Sequence, residues 1–430
     1  TDMSAENGVT YYYQVKARDM ENNESVASNT ASAIPRGIKY VHASSGSDVT
    51  GTGSTLAPYA TIQHSLQQAT NGDTIYVRPG IYEENIDLLG KWVSLRSTDG
   101  KNATYLQDSL TTGTVVTAQN GEDSSTEVIG FTIQNAETGI NLSSNSSPKI
   151  MDCHITDTNY PVKLTADNDI NLINITLGIN GQPAIQLTGG NIGFSSSTVT
   201  RDWNLSAVTV NVTSSLVIQS NGSNALSTLN INGDAVFAFP EGEGIQVGHA
   251  TDGNKKGRLQ ANGATFTAQD QDDNWTGIRF NNYSDDAGTI VDSCTVEYAV
   301  DGINCQSSNP TITNSTFRHN TDGLDADNGS QPNITGNTFT GNIYPIRIYS
   351  RRIDGNLYGN AYQDNFQADS ASSDFIYVYG DGDNLRLSEN KTYDWLLDGA
   401  PYRMMDQTHV WEDGDNNQVA VLKLYSGVKL

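Results

Sequence analysis

The sequence predicts a parallel β-helix, right-handed by the near-universal crossover rule for parallel strands. Three observations lead there. First, the stretch 288–352 repeats itself three times. Val291, Ile312 and Ile334 fall in one column, Val296, Phe317 and Phe339 in a second, and Ile303, Leu324 and Ile346 in a third. A fixed period of this kind, here about 21–22 residues per coil, marks a solenoid in which each unit buries its apolar face only against its neighbours. Second, the apolar runs are short, alternate with period two and are rich in Ile, Val and Thr, which makes them strands. Third, the chain has 430 residues, only 17% of them charged, and almost no helix-forming runs. That length exceeds one ordinary domain, whereas a solenoid grows in one dimension.

In chain order, residues 1–36 contain NGVTYYYQVKARDMENNESVASNTASAIP. Alternation through Tyr11, Tyr13, Val15 and Ala17, a polar turn at Glu21–Glu24 and a second strand give a hairpin. It resembles the last two strands of a fibronectin type III domain, with Tyr11 in the place of that family's corner tyrosine. From Ile38 the sequence changes, and YVHASSGSD and GDTIYVRPGIYEENI resemble the amino-terminal coil of the pectin-lyase-like superfamily. That resemblance implies a β-helix of a secreted or surface protein, and it specifies fold far more than activity. The one helix candidate is 60–70, with Thr61 near its start and Gly72 past its end. Such a helix caps the open end of a β-helix, which would otherwise offer a strand edge to aggregation.

Residues 85–200 carry a first ladder, with columns Val128, Ile150, Ile170; Ile133, Ile155, Ile175; and Ile140, Val162, Ile185. The stretch 194–230 is strand-rich in looser register. A second block opens near Leu226 and runs into the repeats above; the final VLKLYSGVKL resembles the opening strand of a further block. The expected organisation is therefore 1–36 as a partial fibronectin-like hairpin, 37–225 as cap and first β-helix block, and 226–430 as a second block ending in an interrupted repeat. Cys153, Cys294 and Cys305 fall on or next to inward positions and are expected as buried free thiols.

A formal charge of -25 and a pI near 4.4 exclude nucleic acid as a partner, because phosphates require a basic surface. No apolar segment approaches the roughly 20 residues of a membrane span. The charge fits a soluble protein of extracellular or salty surroundings whose acidic loops have the oxygen ligands that calcium takes.

The period that aligns the core also aligns the outward positions. Thr138, Tyr160, Asp301, Asp322 and Tyr344 share one column, and Asn141, Lys163, Asn304, Asp325 and Arg347 share another, three positions on. Asp301 and Asp322 are then one coil apart, roughly 5 Å, with Asp325, Asp327, Arg347 and His319 nearby. Carboxylates at that spacing either raise a pKa or hold a cation, so Asp301, Asp322, Asp325 and Asp327 are the candidate calcium ligands. Tyr344 and Tyr160 are candidate stacking platforms for sugar rings, with Asn304 beside them. Two enzyme chemistries use this fold. In β-elimination of a uronic acid, Arg347 is the candidate base with Asp322 and His319 in support. In glycoside hydrolysis two carboxylates act as acid and base. Here Asn320–Asp322 resembles the Asn-Thr-Asp motif of polygalacturonase-type hydrolases, but that family's second Asp pair and its Gly-His-Gly and Arg-Ile-Lys motifs are absent.

Two function classes follow. One is an extracellular or cell-surface module with a structural, adhesive or carbohydrate-binding role, partnered by a polysaccharide or surface glycan, with exposed end strands able to pair between molecules. The other is a calcium-dependent lyase of an acidic polysaccharide.

Overall fold

In the computed structural model the chain winds as expected. The structure describes residues 10–33, 37–165 and 209–365 except 221, 223 and 328, with residue 168, the strand segments between 172 and 205, and 374–379, 392–395, 400–405, 421–424 and 428. The chain forms two compact units, residues 1–163 with 171–182, and residues 164–170 with 183–430. The expected boundary at 225/226 falls inside the second unit, where strand Val199–Asn204 pairs with strand Leu226–Asn232.

The first unit opens with the hairpin. Strands Tyr11–Tyr13 and Ala31–Ala33 pair antiparallel, with Tyr11 opposite Ala33. Backbone bonds extend the pairing through Val15–Ser28 and Ala17–Ser25, and the Asp19 carboxylate closes the tip on the amides of Glu21 and Asn23. Tyr12, Val15, Met20 and Val26 are exposed, so this hairpin has no core of its own.

Beyond it, strand Ile38–Val41 starts a parallel sheet and helix Ile62–Gln68 stands beside it. The Thr61 hydroxyl caps the helix by accepting from the His64 amide at 3.2 Å. The half-buried Glu84 carboxylate receives the amides of Ile62 and Gln63, and its partial burial raises its pKa. At the other end the Lys91 ammonium donates to the carbonyls of Leu66, Gln67 and Ala69. Both helix ends are thus satisfied by side chains from later coils.

From Val128 and Ile133 onward the ladder keeps one constant step. Val128 pairs with Ile150 and Ile150 with Leu172; Ile133 pairs with Ile155 and Ile155 with Leu177. The expected third members, Ile170 and Ile175, lie outside the described residues, and their columns are taken by Leu172 and Leu177. Aligning on Ile alone shortens the step, whereas the strands hold their spacing whichever aliphatic residue occupies it.

In the second unit the coils change length. One column runs Val210, Phe237, Phe266, Val296, Phe317, Phe339. The intervals from Phe237 to Phe266 and from Phe266 to Val296 are wide, and those on to Phe317 and Phe339 return to the short period of the repeats. The coils through 194–230 are wide as well, with Thr200 paired to Thr228 and Val210 to Phe237, which accounts for the loose register there. Every side chain of this column is buried, and Phe317 and Phe339 stack at 5.0 Å. Trp275 is buried as well, stacked on Phe239 at 4.7 Å with its indole N–H donated to the Glu297 carbonyl at 2.8 Å.

Corners are made by left-handed residues. Ser293 (φ 55°), Asn314 (φ 52°) and Gly336 (φ 69°) form one corner column; Tyr298 (φ 57°), His319 (φ 57°) and Gly341 (φ 65°) form the next. Inside each corner runs a buried polar ladder. The Asn320 carboxamide accepts from the Ala299 amide and donates to the Val296 carbonyl and to Asn342 Oδ1. Asn342 in turn donates to the Phe317 carbonyl and to Asn365 Oδ1. Ser315, Asn337 and Asn360 repeat the device at the other corner. These groups satisfy backbone amides and carbonyls that the turns leave unpaired.

All three cysteines are buried free thiols. Burial pushes Cys153 and Cys294 up to about 11, which leaves them as inert core residues.

Candidate functional site

The corner ladder places the site. Two positions after Asn320 the chain enters strand Asp322–Ala326, which lies parallel between strand Ala299–Cys305 and strand Tyr344–Tyr349. Asp301, Asp322 and Tyr344 are in register, as are Asn304, Asp325 and Arg347. The two outward columns of this unit are therefore where the repeat put them. Tyr160 and Lys163 belong to the first unit.

The first correction concerns exposure. Asp322 is not a solvated outward group; it is 3% exposed. Arg347 from the next coil covers it, donating Nη1 to Asp322 Oδ2 at 2.5 Å and standing 3.9 Å from Asp325 through Nε. The Tyr344 and Tyr379 rings flank the guanidinium at 5.5 and 5.3 Å. Burial lifts the Asp322 carboxyl to about 7, with Arg347 pulling it back and Asp301 and Asp325 pushing it further. Burial likewise raises Asp325 and Tyr379. For Arg347 burial works against the charge, yet Asp322 and Asp325 outweigh it and hold the guanidinium protonated.

The clamp argues against Arg347 as a base. A guanidinium clamped by one buried and one half-buried carboxylate is more firmly protonated than a free one, the reverse of what proton abstraction requires. His319 is a corner residue whose ring stacks on Tyr298 at 5.3 Å and lies against Gly341. Its position follows from the turn it makes.

The calcium set is not assembled either. Asn304 Nδ2 donates to Asp301 at 2.7 Å, Arg347 takes Asp322 and Asp325, and Asp327 accepts from Ser307 of the preceding coil and from Gly329 and Ser330 in its own loop. Among the described residues no group of three or more His, Cys, Asp or Glu is arranged to hold a metal ion. Tyr160 has one ring face covered by the Lys163 ammonium at 3.7 Å, so that face is closed to a sugar. The Tyr344 ring meets Tyr377 edge-on at 5.0 Å and remains half-buried.

What the repeat did not show is how far the outward column continues. Asn304 is preceded in register by Arg279 and Arg279 by Gln246, while Arg347 is followed by Tyr377 and Tyr377 by Arg403. A groove of about 280 Å³ opens over the earlier part, lined among others by Gln246, Thr276, Arg279, Val300, Asp301 and Asn304. Val300, 44% exposed, gives it an apolar rim. A sequence signal existed: Gly244-Ile-Gln, Gly277-Ile-Arg, Gly302-Ile-Asn and Gly323-Leu-Asp are one motif. It was hidden by the wide and unequal intervals from Ile245 to Ile278 to Ile303, and by a bulge at Gly277/Ile278.

Fold and face together define a β-helix protein with a polar groove on one outer sheet. Residues 249–391, a stretch holding Arg279 through Tyr379, match the family model described as right handed beta helix region, which gives the helix the expected hand. No curated protein matches the sequence. Solved structures that align include the GH136 lacto-N-biosidase from Eubacterium ramulus (11% identity, 76% of this chain and 67% of that one, TM-score 0.29). Pectin methylesterase from carrot aligns at 12% identity over 78% of this chain and 84% of that one (TM-score 0.24). The family 28 exopolygalacturonase from Yersinia enterocolitica aligns at 10% identity over 84% of each chain (TM-score 0.25). At these scores the alignments add nothing to the geometry above. Among the described residues no helix is long and apolar enough to cross a membrane.

Proposed function

We propose that this chain is a carbohydrate-binding β-helix module of an extracellular or cell-surface protein, and that it binds its glycan along the outer face that carries Gln246, Arg279, Asp301 and Asn304. The observation that carries this reading is the groove itself. Hydrogen-bonding side chains stand in register on successive strands roughly 4.8 Å apart, next to exposed Val300. Repeated polar groups beside an apolar rim match a chain of sugar rings, whose edges carry hydroxyls and whose faces carry C–H groups.

The test is calorimetry of the intact chain against a panel of polysaccharides, with Gln246→Ala and Arg279→Ala as variants. Binding weakened about tenfold by either variant, with unchanged melting temperature, supports the module; truncation of one hydrogen-bonding contact has that scale. The lyase reading is checked in parallel. Uronic-acid polysaccharides are incubated with calcium or chelator while ultraviolet absorbance of unsaturated product is followed. A flat trace is expected. Calcium-dependent absorbance that disappears in Arg347→Ala would replace the module with an enzyme.

A further inference from the structure

The groove's hydrogen-bond inventory says which sugars it takes, and this inference rests on the reading above. Its hydroxyl donors are already used. Ser215 donates its O–H to Glu243 Oε2 at 2.5 Å, and Thr276 donates to the Glu243 carbonyl at 3.0 Å. The Arg279 guanidinium, exposed at the groove, is held by Gln306 Oε1. Acceptors, by contrast, are left over. Asp301 receives one side-chain hydrogen bond, from Asn304 Nδ2. That bond fixes the carboxamide: Nδ2 faces the carboxylates of Asp301 and Asp325, so Oδ1 points the other way, buried and without a partner, and the acceptor open to the groove is Asp301. One coil on, the buried Asp322 keeps Oδ1 unpartnered while Arg347 holds Oδ2.

Charge points the same way. Glu243, Asp301, Asp322 and Asp325 stand at this face with Arg279, Arg347 and, further along, Arg403, in a chain of formal charge -25. An anionic ligand meets more carboxylates than guanidiniums, and Arg347 is already engaged by two of them. A ligand that brings donors and no negative charge suits the Asp301 carboxylate, which has lone pairs to spare.

We infer that the glycan bound here is neutral, and that a hydroxyl of one sugar donates to the Asp301 carboxylate. Uronic acids, the substrates of the lyase alternative, are disfavoured at the same positions. Arg279 and Gln246 then serve as donors to ring and glycosidic oxygens at the groove's earlier end.

The experiment pairs glycans that differ only in the carboxylate: a neutral β-linked hexose oligosaccharide and its counterpart oxidised at C6 to the uronic acid. Each is titrated into the full chain by calorimetry, with calcium and with chelator. The neutral member is expected to bind at least tenfold more tightly, with no effect of calcium. Asp301→Asn is expected to weaken it by about tenfold or more, the scale of a lost charged hydrogen bond, and to narrow the gap to the uronic acid. Gln246→Ala, on the exposed surface, provides a second variant whose folding is not at issue. Preference for the uronic acid, with or without calcium, would overturn this inference and leave the binding module standing. Binding of neither member, nor of any glycan in the wider panel, would overturn the module itself.

Discussion

The second unit carries two polar ladders built on the same coil spacing, and they are opposites. The inner one, Asn320–Asn342–Asn365, is closed: each carboxamide donates to a backbone carbonyl and to an acceptor in the next coil, and each oxygen of Asn342 and Asn365 receives an amide. The outer one, Asp301–Asn304–Asp322, is open: Asn304 Oδ1 and Asp322 Oδ1 lack partners. Both are cheap to build, because a solenoid repeats any side chain at intervals of one strand. Satisfaction is what separates structure from function. A polar column that answers all its own hydrogen bonds holds coils together, and one that leaves a carboxylate at a groove, as this one leaves Asp301, can meet a ligand.

That contrast can be broken at three points, in falling order of effect. Asn342→Ala interrupts the closed ladder and orphans the Asn320 amide together with one Asn320 Nδ2 hydrogen, both buried. The expected loss is roughly 3–5 kcal/mol of unfolding free energy, at about 1–3 kcal/mol per buried unsatisfied group, read as a lower denaturation midpoint. Glycan affinity per folded molecule should not change.

Asp322 lies on the open ladder yet is buried, and its effect appears with pH. Its folded pKa is raised from the carboxylate range to about 7. Between about pH 4 and 7 the folded state therefore binds a proton that the unfolded state has released, so stability is full below that window and falls as pH rises through it. Denaturation at a series of pH values should show this slope, and Asp322→Asn should flatten it. An unchanged slope in the variant would mean that another group titrates.

Asp301→Asn should be the mildest, within about 0.5 kcal/mol of the parent in stability, as for a surface substitution. Its cost is to appear in binding. A variant that unfolds the protein as Asn342→Ala does would erase the distinction between the ladders.

How much of this could be read from sequence follows the same division. The repeat shows the core because Val291, Ile312 and Ile334 have to be aliphatic to be buried, and it aligns Asp301 with Asp322 because side chains of one column share a period. It could not show the burial of Asp322, which depends on where the long Arg347 side chain lies and on Tyr379 in a later coil. Nor did it show the groove, because the wide, unequal coils there defeat a search for one short period. The asparagine ladder, by contrast, is legible: Asn320, Asn342 and Asn365 keep the period as well as any aliphatic column does. Polar residues in turns are read as solvent-facing by habit, and a coil corner turns inward.

The Asn ladder also has a sense. Each carboxamide hands its hydrogen to the coil that follows, from a start where Asn320 accepts from the Ala299 amide to an end where Asn365 donates to the Asp374 carboxylate at 2.8 Å. A backbone N–H begins the sequence and an acceptor that needs no further outlet closes it. Any whole coil carrying asparagine at this corner can be copied into the middle and find both neighbours ready, whereas a fragment of a coil cannot. The corner thus acts as a grammar for tandem duplication: it lets genetic lengthening proceed one full turn at a time, and leaves each new turn's outer face free to diverge.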